Sequence, residues 1–295
     1  MTGIIPLKKS ENMTSFLAVK RVRGITGEKK CGHTGTLDPN ATGVLPIALG
    51  GATRFIELLP THKKAYRATF RLGIKTDTLD IWGAVLEESK KTASPSQVAE
   101  LLPQFKGKIK QVPPMYSAPK KDGVRLYELA RQGIEIEREE RECEIFELQI
   151  EALSENEFSL YAECSAGTYI RSLIGDIGDC LGTGATMTSL NRVYACGISE
   201  EECVSLEELE QLRDNNELEK IIIPVDKMLS LYPPVSVTAA QGNRFKNGGE
   251  LLKSRIKGEV PCGLVRVYCE NTFLGLGEAS AESESLAVKR VYVER

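Results

Sequence analysis

Histidine and tryptophan are nearly missing from this 295-residue chain, which has two of the first and one of the second. His33 and His62 lie far in sequence from every one of the eight cysteines except Cys31, and no two cysteines form a C-x-x-C pair. Zinc sites draw on close Cys and His pairs, so no metal is expected. A Walker loop and a G-x-G-x-x-G fingerprint are also absent, which leaves no sign of a bound nucleotide cofactor. No apolar run approaches the roughly 18 residues of a membrane span. Residues 1–10 offer only Ile4 and Ile5 before Lys8 and Lys9, too little for a signal peptide. The scattered thiols suit small core residues in a reducing cytosol, so a cytoplasmic protein with no membrane partner is expected.

What is present is ordinary in amount and uneven in placement. Hydrophobic residues make up 41% and charged residues 27% of a chain whose net charge is −3, as in a soluble globular protein. Residues 1–130 hold 21 Lys and Arg against 11 Asp and Glu, whereas residues 131–230 hold 8 against 23. The basic first part would draw a phosphate backbone with strong salt dependence, although the same excess also suits a solvated surface. The acidic run 135–147 reads as a solvated face or strand edge without a chemical role.

Local patterns place the main elements. Thr14-Ser15 can cap a helix running through Phe16, Leu17, Val19, Lys20 and Val22 and ended by Gly24. Residues 66–73 alternate with period two, as a half-buried strand does, and residues 144–150 and 158–164 read as two strands around a polar turn. Ser94-Pro95 starts a helix that Pro103 bends or ends, residues 168–181 are apolar near the helical period, and Ser205 to Glu208 form a capping box. A boundary is expected at Tyr232-Pro233-Pro234, giving domains 1–231 and 232–295, the second β-rich.

The most distinctive stretch is residues 32–46, Gly-His-Thr-Gly-Thr-Leu-Asp-Pro-Asn-Ala-Thr-Gly-Val-Leu-Pro. Its glycines and prolines argue against helix or central strand and for a long fixed loop. The loop holds one carboxylate, Asp38. That residue can close an Asx-type turn before Pro39, or it can be a nucleophile held in place for covalent catalysis.

This stretch resembles the catalytic loop of the TruB family of bacterial tRNA pseudouridine-55 synthases, G-H-x-G-T-L-D-P-x-A-x-G-V-L-P, at every fixed position. Residues 165–173, Ser-Ala-Gly-Thr-Tyr-Ile-Arg-Ser-Leu, contain the family's G-T-Y-I-R-S-L, and Lys64-Ala65-Tyr66 matches its K-x-Y. The block from Val112 to Lys120 also matches. Leu190-Asn191-Arg192-Val193 follows L-x-R-T only in part, with Val193 for Thr and Ile198 for a later Phe. Lys9 to Ser15 departs from K-P-x-G-x-T-S at Ser10 and Asn12.

The resemblance implies an α+β fold, with a mostly antiparallel mixed central sheet flanked by helices and loops and a small C-terminal PUA-like domain. It implies Asp38 as the nucleophile, Tyr66 stacked on the flipped uridine, and Arg171 keeping the Asp38 carboxylate ionised and oriented. His33, Lys9, Lys20, Lys64, Lys120, Tyr169 and Leu190 are implied RNA contacts. The expected reaction is conversion of the T-loop uridine of tRNA to pseudouridine, by a monomer that needs neither cofactor nor protein partner. Two rivals stand beside it: a guide-RNA-dependent synthase and a tRNA chaperone for which Asp38 is dispensable. A carboxylate-based glycosidase would need a second acid that the sequence does not point to.

Overall fold

The structure is a computed structural model describing residues 1–60, 62–117, 120–121 and 123–293. It separates into two compact units. The first joins Met1–Pro39, Val44–Thr61 and Cys196–Arg295, and the second joins Asn40–Gly43 to His62–Ala195.

In the first unit β1 (Gly3–Lys9) is almost wholly buried and leads into α1 (Ser15–Thr26). The Thr14 hydroxyl caps α1 by accepting from the Leu17 N–H, which satisfies one of the free amides of the first turn. The helix buries Ser15, Ala18, Val22 and Ile25 and leaves Phe16 and Leu17 exposed. It also runs past Gly24, where it was expected to end. The left-handed residue that stops it is Gly27, at φ +67°, whose N–H donates to the Arg23 carbonyl.

Strands β2 (Cys31–His33) and β3 (Thr42–Leu49) pair antiparallel, with His33 opposite Ile47, and β1 flanks β3. The expected loop over 32–46 is therefore shorter, and only residues 34–41 are irregular. The reason is burial: residues 43–49 are all buried, and Pro46 still offers its carbonyl, which accepts from the Thr34 N–H.

The second unit runs β4 (Lys63–Leu72), β5 (Ile74–Thr76), β6 (Val85–Glu88), α2 (Pro95–Leu101), β7 (Gly107–Gln111), β8 (Lys120–Lys121), β9 (Val124–Arg125), α3 (Leu126–Arg131), β10 (Arg141–Ala152), β11 (Glu157–Ser165), α4 (Ile170–Leu181) and β12 (Ala185–Ala195). Its sheet has the order β12-β4-β11-β10-β7, every pair antiparallel. Thr42 and Gly43 add a parallel pairing to Asn191 and Arg192, so the sheet is mixed but mostly antiparallel. Gly43 sits at φ +99°, and a Cβ there would fall 2.2 Å from the Arg192 carbonyl oxygen. The amphipathic α4 presses Leu173, Ile174 and Ile177 against β4 and β12, and the Phe70 and Phe158 rings stack at 5.4 Å in the core. A capping box of Ser94 and Gln97 opens α2, and Pro103 turns its end into a short 3-10 segment, as expected.

After α5 (Leu206–Asp214), which opens on the Ser205–Glu208 capping box, comes a second sheet. Its five strands, Pro234–Val237, Leu251–Leu252, Gly263–Cys269, Thr272–Ala279 and Ser285–Val291, all follow residue 232 and enclose Val235, Phe245, Val265, Leu274 and Leu286. This is the small β-rich, PUA-like part. The two compact units do not divide the chain at 231/232, because residues 196–295 group with the N-terminal segments.

Candidate active site

The first unit carries Asp38, and its neighbours hold the backbone on both sides. The buried Ser15 hydroxyl donates to the Leu37 carbonyl at 3.1 Å and accepts from the Leu37 N–H at 2.8 Å. On the other side the Lys9 ammonium donates to the carbonyls of Ser10, Met13 and Pro39 at 2.8, 2.6 and 3.0 Å. The Pro39 carbonyl also accepts from the Met13 N–H. Asp38 is half-buried between two residues whose backbone cannot drift independently of β1 and α1. Positioning a nucleophile this way limits the conformations it must search.

The second unit carries Tyr66, Tyr169, Arg171, Leu190 and Lys64. On β4, Tyr66 is 7% exposed and lies opposite Arg192 of β12 and Ala162 of β11. Leu190 sits opposite Ala68, so Lys64, Tyr66 and Leu190 share one face of the sheet, with the buried Arg192 among them. Lys63 points to the other face and pairs with Glu163, which raises the lysine pKa and lowers that of the acid.

Arg171 stands in the first turn of α4, almost fully buried. One guanidinium nitrogen donates to the Thr78 carbonyl at 2.9 Å and lies 3.7 Å from an Asp80 carboxylate oxygen. Another donates to the Tyr116 carbonyl at 2.8 Å. The planar fork thus ties three chain segments together, which a lysine could not do. Gln111, also buried, brackets the Tyr169 backbone: its side-chain oxygen accepts from the Tyr169 N–H, and its amide donates to the Tyr169 carbonyl. Among the described residues no three His, Cys, Asp or Glu side chains group as metal ligands, and no helix is long and apolar enough to cross a membrane.

Three family profiles cover the chain in succession: the N-terminal domain of the TruB family pseudouridylate synthases over residues 23–170, the tRNA pseudouridylate synthase B C-terminal domain over 171–230, and a pseudouridine synthase II TruB C-terminal profile over 233–292. The chain belongs to the TruB family. Curated proteins called tRNA pseudouridine synthase B match it nearly end to end. That of Clostridium tetani is 42% identical over 96% of this chain and 97% of its own length. That of Syntrophomonas wolfei is 41% identical over 98% and 97%. Among solved structures, a Cbf5-Nop10-Gar1 complex aligns over 99% of this chain and 85% of that one at a TM-score of 0.77 and 26% identity.

In this TruB chain the expected contacts fare unequally. Lys9, expected as an RNA contact, is 1% exposed, and its ammonium donates to three carbonyls beside Asp38. Lys20 is exposed on α1, and His33 is half-buried in β2 beside the segment. The side chain of Lys120 lies outside the described residues. Sequence reasoning missed Ser15 as a clamp and Asp80 as the Arg171 partner. Ser15 was visible only as a helix cap, and nothing local marks Asp80, which lies 91 positions from Arg171. It also missed a concavity of about 570 Å³ lined by Glu28, Lys29, Lys30, Gly50, Gly51 and Arg54, whose three exposed cations lie outside every described ion pair while Glu28 pairs with the N-terminal amine. Their clustering joins residues some twenty positions apart.

Proposed function

We propose that this protein is a stand-alone tRNA pseudouridine synthase that isomerises the T-loop uridine, U55, with Asp38 as nucleophile. The observation that carries the reading is the Asp38 segment itself, a half-buried carboxylate whose flanking backbone is bonded by Ser15 on one side and Lys9 on the other. The relatives named tRNA pseudouridine synthase B, at 41–44% identity over 94–98% of the chain, support it over a guide-dependent enzyme.

The target base is stacked inside a folded loop and has to leave it before its glycosidic bond can be reached. Tyr66 then stacks against the extruded uracil, and Asp38 attacks at C1′ or on the base. The C–N bond breaks, the base rotates, and a C–C bond forms in its place. The proton displaced from that carbon balances the one gained by nitrogen, so the reaction consumes no oxidant, phosphate donor or metal. Arg171 orients the carboxylate of the nucleophile, a task that a planar, charged guanidinium fork suits. His33, Lys20, Lys64, Lys120, Tyr169 and Leu190 contact the RNA, and residues 232–295 act as a PUA-like RNA-binding domain. The enzyme works as a cytoplasmic monomer.

The test is pseudouridine formation on an unmodified tRNA transcript with no added protein or guide RNA. Wild type converts U55, Asp38→Asn converts none while still binding tRNA, and a U55C transcript yields no product. Binding without product from wild type would favour the chaperone or guide-dependent readings, and wild-type turnover by Asp38→Asn would remove the nucleophile assignment.

A further inference from the structure

The single tryptophan of the chain, Trp82, is 47% exposed. It sits in the turn between β5 and β6 beside the exposed Ile81, and the first two residues of β6, Val85 and the 70% exposed Leu86, are exposed apolar side chains as well. Large apolar side chains grouped on a surface mark an interaction site more often than chance would place them.

The turn is rigid. The Asp80 carboxylate accepts from the Thr78 hydroxyl at 2.6 Å and from the Trp82 N–H at 3.3 Å with one oxygen, while its other oxygen faces Arg171. The Ile81 N–H donates to the Met187 carbonyl, and the Met187 N–H donates to that of Leu79, which fastens the turn to β12. Gly83 completes it, since a Cβ there would lie 2.2 Å from the Thr78 hydroxyl oxygen and 2.4 Å from an Asp77 carboxylate oxygen. The indole is therefore presented from a fixed backbone, with little ordering left to lose on binding.

We propose that Trp82 is a stacking platform for an unpaired base of the RNA substrate outside the reacting uridine, an inference that rests on the proposed reading of the chain as an RNA-modifying enzyme. Aromatic faces accept any base, and single-stranded RNA is recognised by stacking combined with cations along the backbone. Both parts are present in this hairpin. Lys90 and Lys91 follow the far end of β6, exposed and outside every described ion pair. A four-residue strand separates them from the turn by about 13 Å, on the order of two nucleotides of extended RNA. The hairpin also carries acids: Asp77 accepts from the Ala84 N–H, Asp80 is bonded as above, Glu87 lies 4.0 Å from Lys75, whose closer partner is Asp179 at 2.6 Å, and Glu88 is exposed. An aromatic flanked by available cations fits RNA better than an apolar protein partner.

Because Trp82 is the only tryptophan, intrinsic fluorescence reports on it alone. Titrating Asp38→Asn protein with unmodified tRNA transcript is expected to quench and shift the emission, saturating at the concentration where filter binding saturates. Trp82→Ala is expected to raise KM roughly 5–160-fold, the range of one lost stacked base, with the change confined to KM and with unaltered melting. Trp82→Phe recovers most of the loss. Unchanged emission on tRNA binding, or a wild-type KM for Trp82→Ala, would overturn the proposal. So would loss of self-association on gel filtration as the only effect of the substitution, since that would identify a protein contact. These outcomes are independent of whether U55 is the base isomerised, because quenching needs binding and not turnover.

Discussion

Ser15→Ala removes one oxygen atom from the frame that holds Asp38, and its effect can be worked from the contacts. The buried hydroxyl makes two hydrogen bonds to Leu37, one to each backbone group. A typical bond of this kind contributes about 0.5–1.5 kcal/mol net. Alanine returns up to about 0.5 kcal/mol in helix propensity at the start of α1. The loss falling on the position of the Asp38 segment is therefore about 0.5–2.5 kcal/mol, which at 1.36 kcal/mol per tenfold is roughly a 2–70-fold fall in kcat. Single-turnover pseudouridine formation at saturating tRNA should show this fall with KM close to that of wild type, because the contact lies behind the loop. Hydrogen exchange provides a second readout: the Leu37 amide loses its acceptor and should exchange faster in Ser15→Ala. A kcat within twofold of wild type, together with retained protection of Leu37, would refute the claim that Ser15 positions the nucleophile.

Arg171→Ala leaves the Asp80 carboxylate and the Thr78 and Tyr116 carbonyls without their buried donor. Breaking a buried pair costs about 3–5 kcal/mol, so the apparent Tm should fall by roughly 5–15 °C, and Arg171→Lys should recover only part of it. A melting curve like that of wild type would show the fork to be dispensable. Gly43→Ala should prevent soluble expression, because its Cβ would strike the Arg192 carbonyl, whereas Gly27→Ala, with open space around its Cβ, should cost only about 1 kcal/mol. Equal yields from the two variants would contradict this account of the β3–β12 pairing. Burial pushes the thiols of Cys31 and Cys164 up to about 11 and that of Cys203 up to about 12. Their reactive thiolates form only as pH rises toward those values. Iodoacetamide at pH 8 should therefore label the exposed Cys180 and Cys262 first, and mass spectrometry of the native protein finding Cys164 labelled as fast would refute it.

Much of the architecture was legible because it is written in short-range patterns. The capping boxes at Ser94 and Ser205 need only residues three apart, and the alternation along β4 and β11 follows directly from the two-residue period of a strand. Where the local reading slipped, burial elsewhere was the cause. Gly24 has the residue type of a helix stop, yet the left-handed conformation went to Gly27, and the proline-bearing end of the catalytic-loop motif became β3 because residues 43–49 are all buried.

The sequence by itself determined the family, the mixed and mostly antiparallel fold, and Asp38, Tyr66 and Arg171 as the residues to ask about, since these are properties of motifs contiguous along the chain. Only the tertiary structure decided what holds them. Ser15 reaches Leu37 across 22 positions, Lys9 reaches Pro39 across 30, and Arg171 reaches Thr78 across 93. A lysine that binds RNA and a lysine that braces a loop look alike in a sequence. They differ only in whether packing removes the ammonium from water, and a buried ammonium must then find carbonyls to receive its protons.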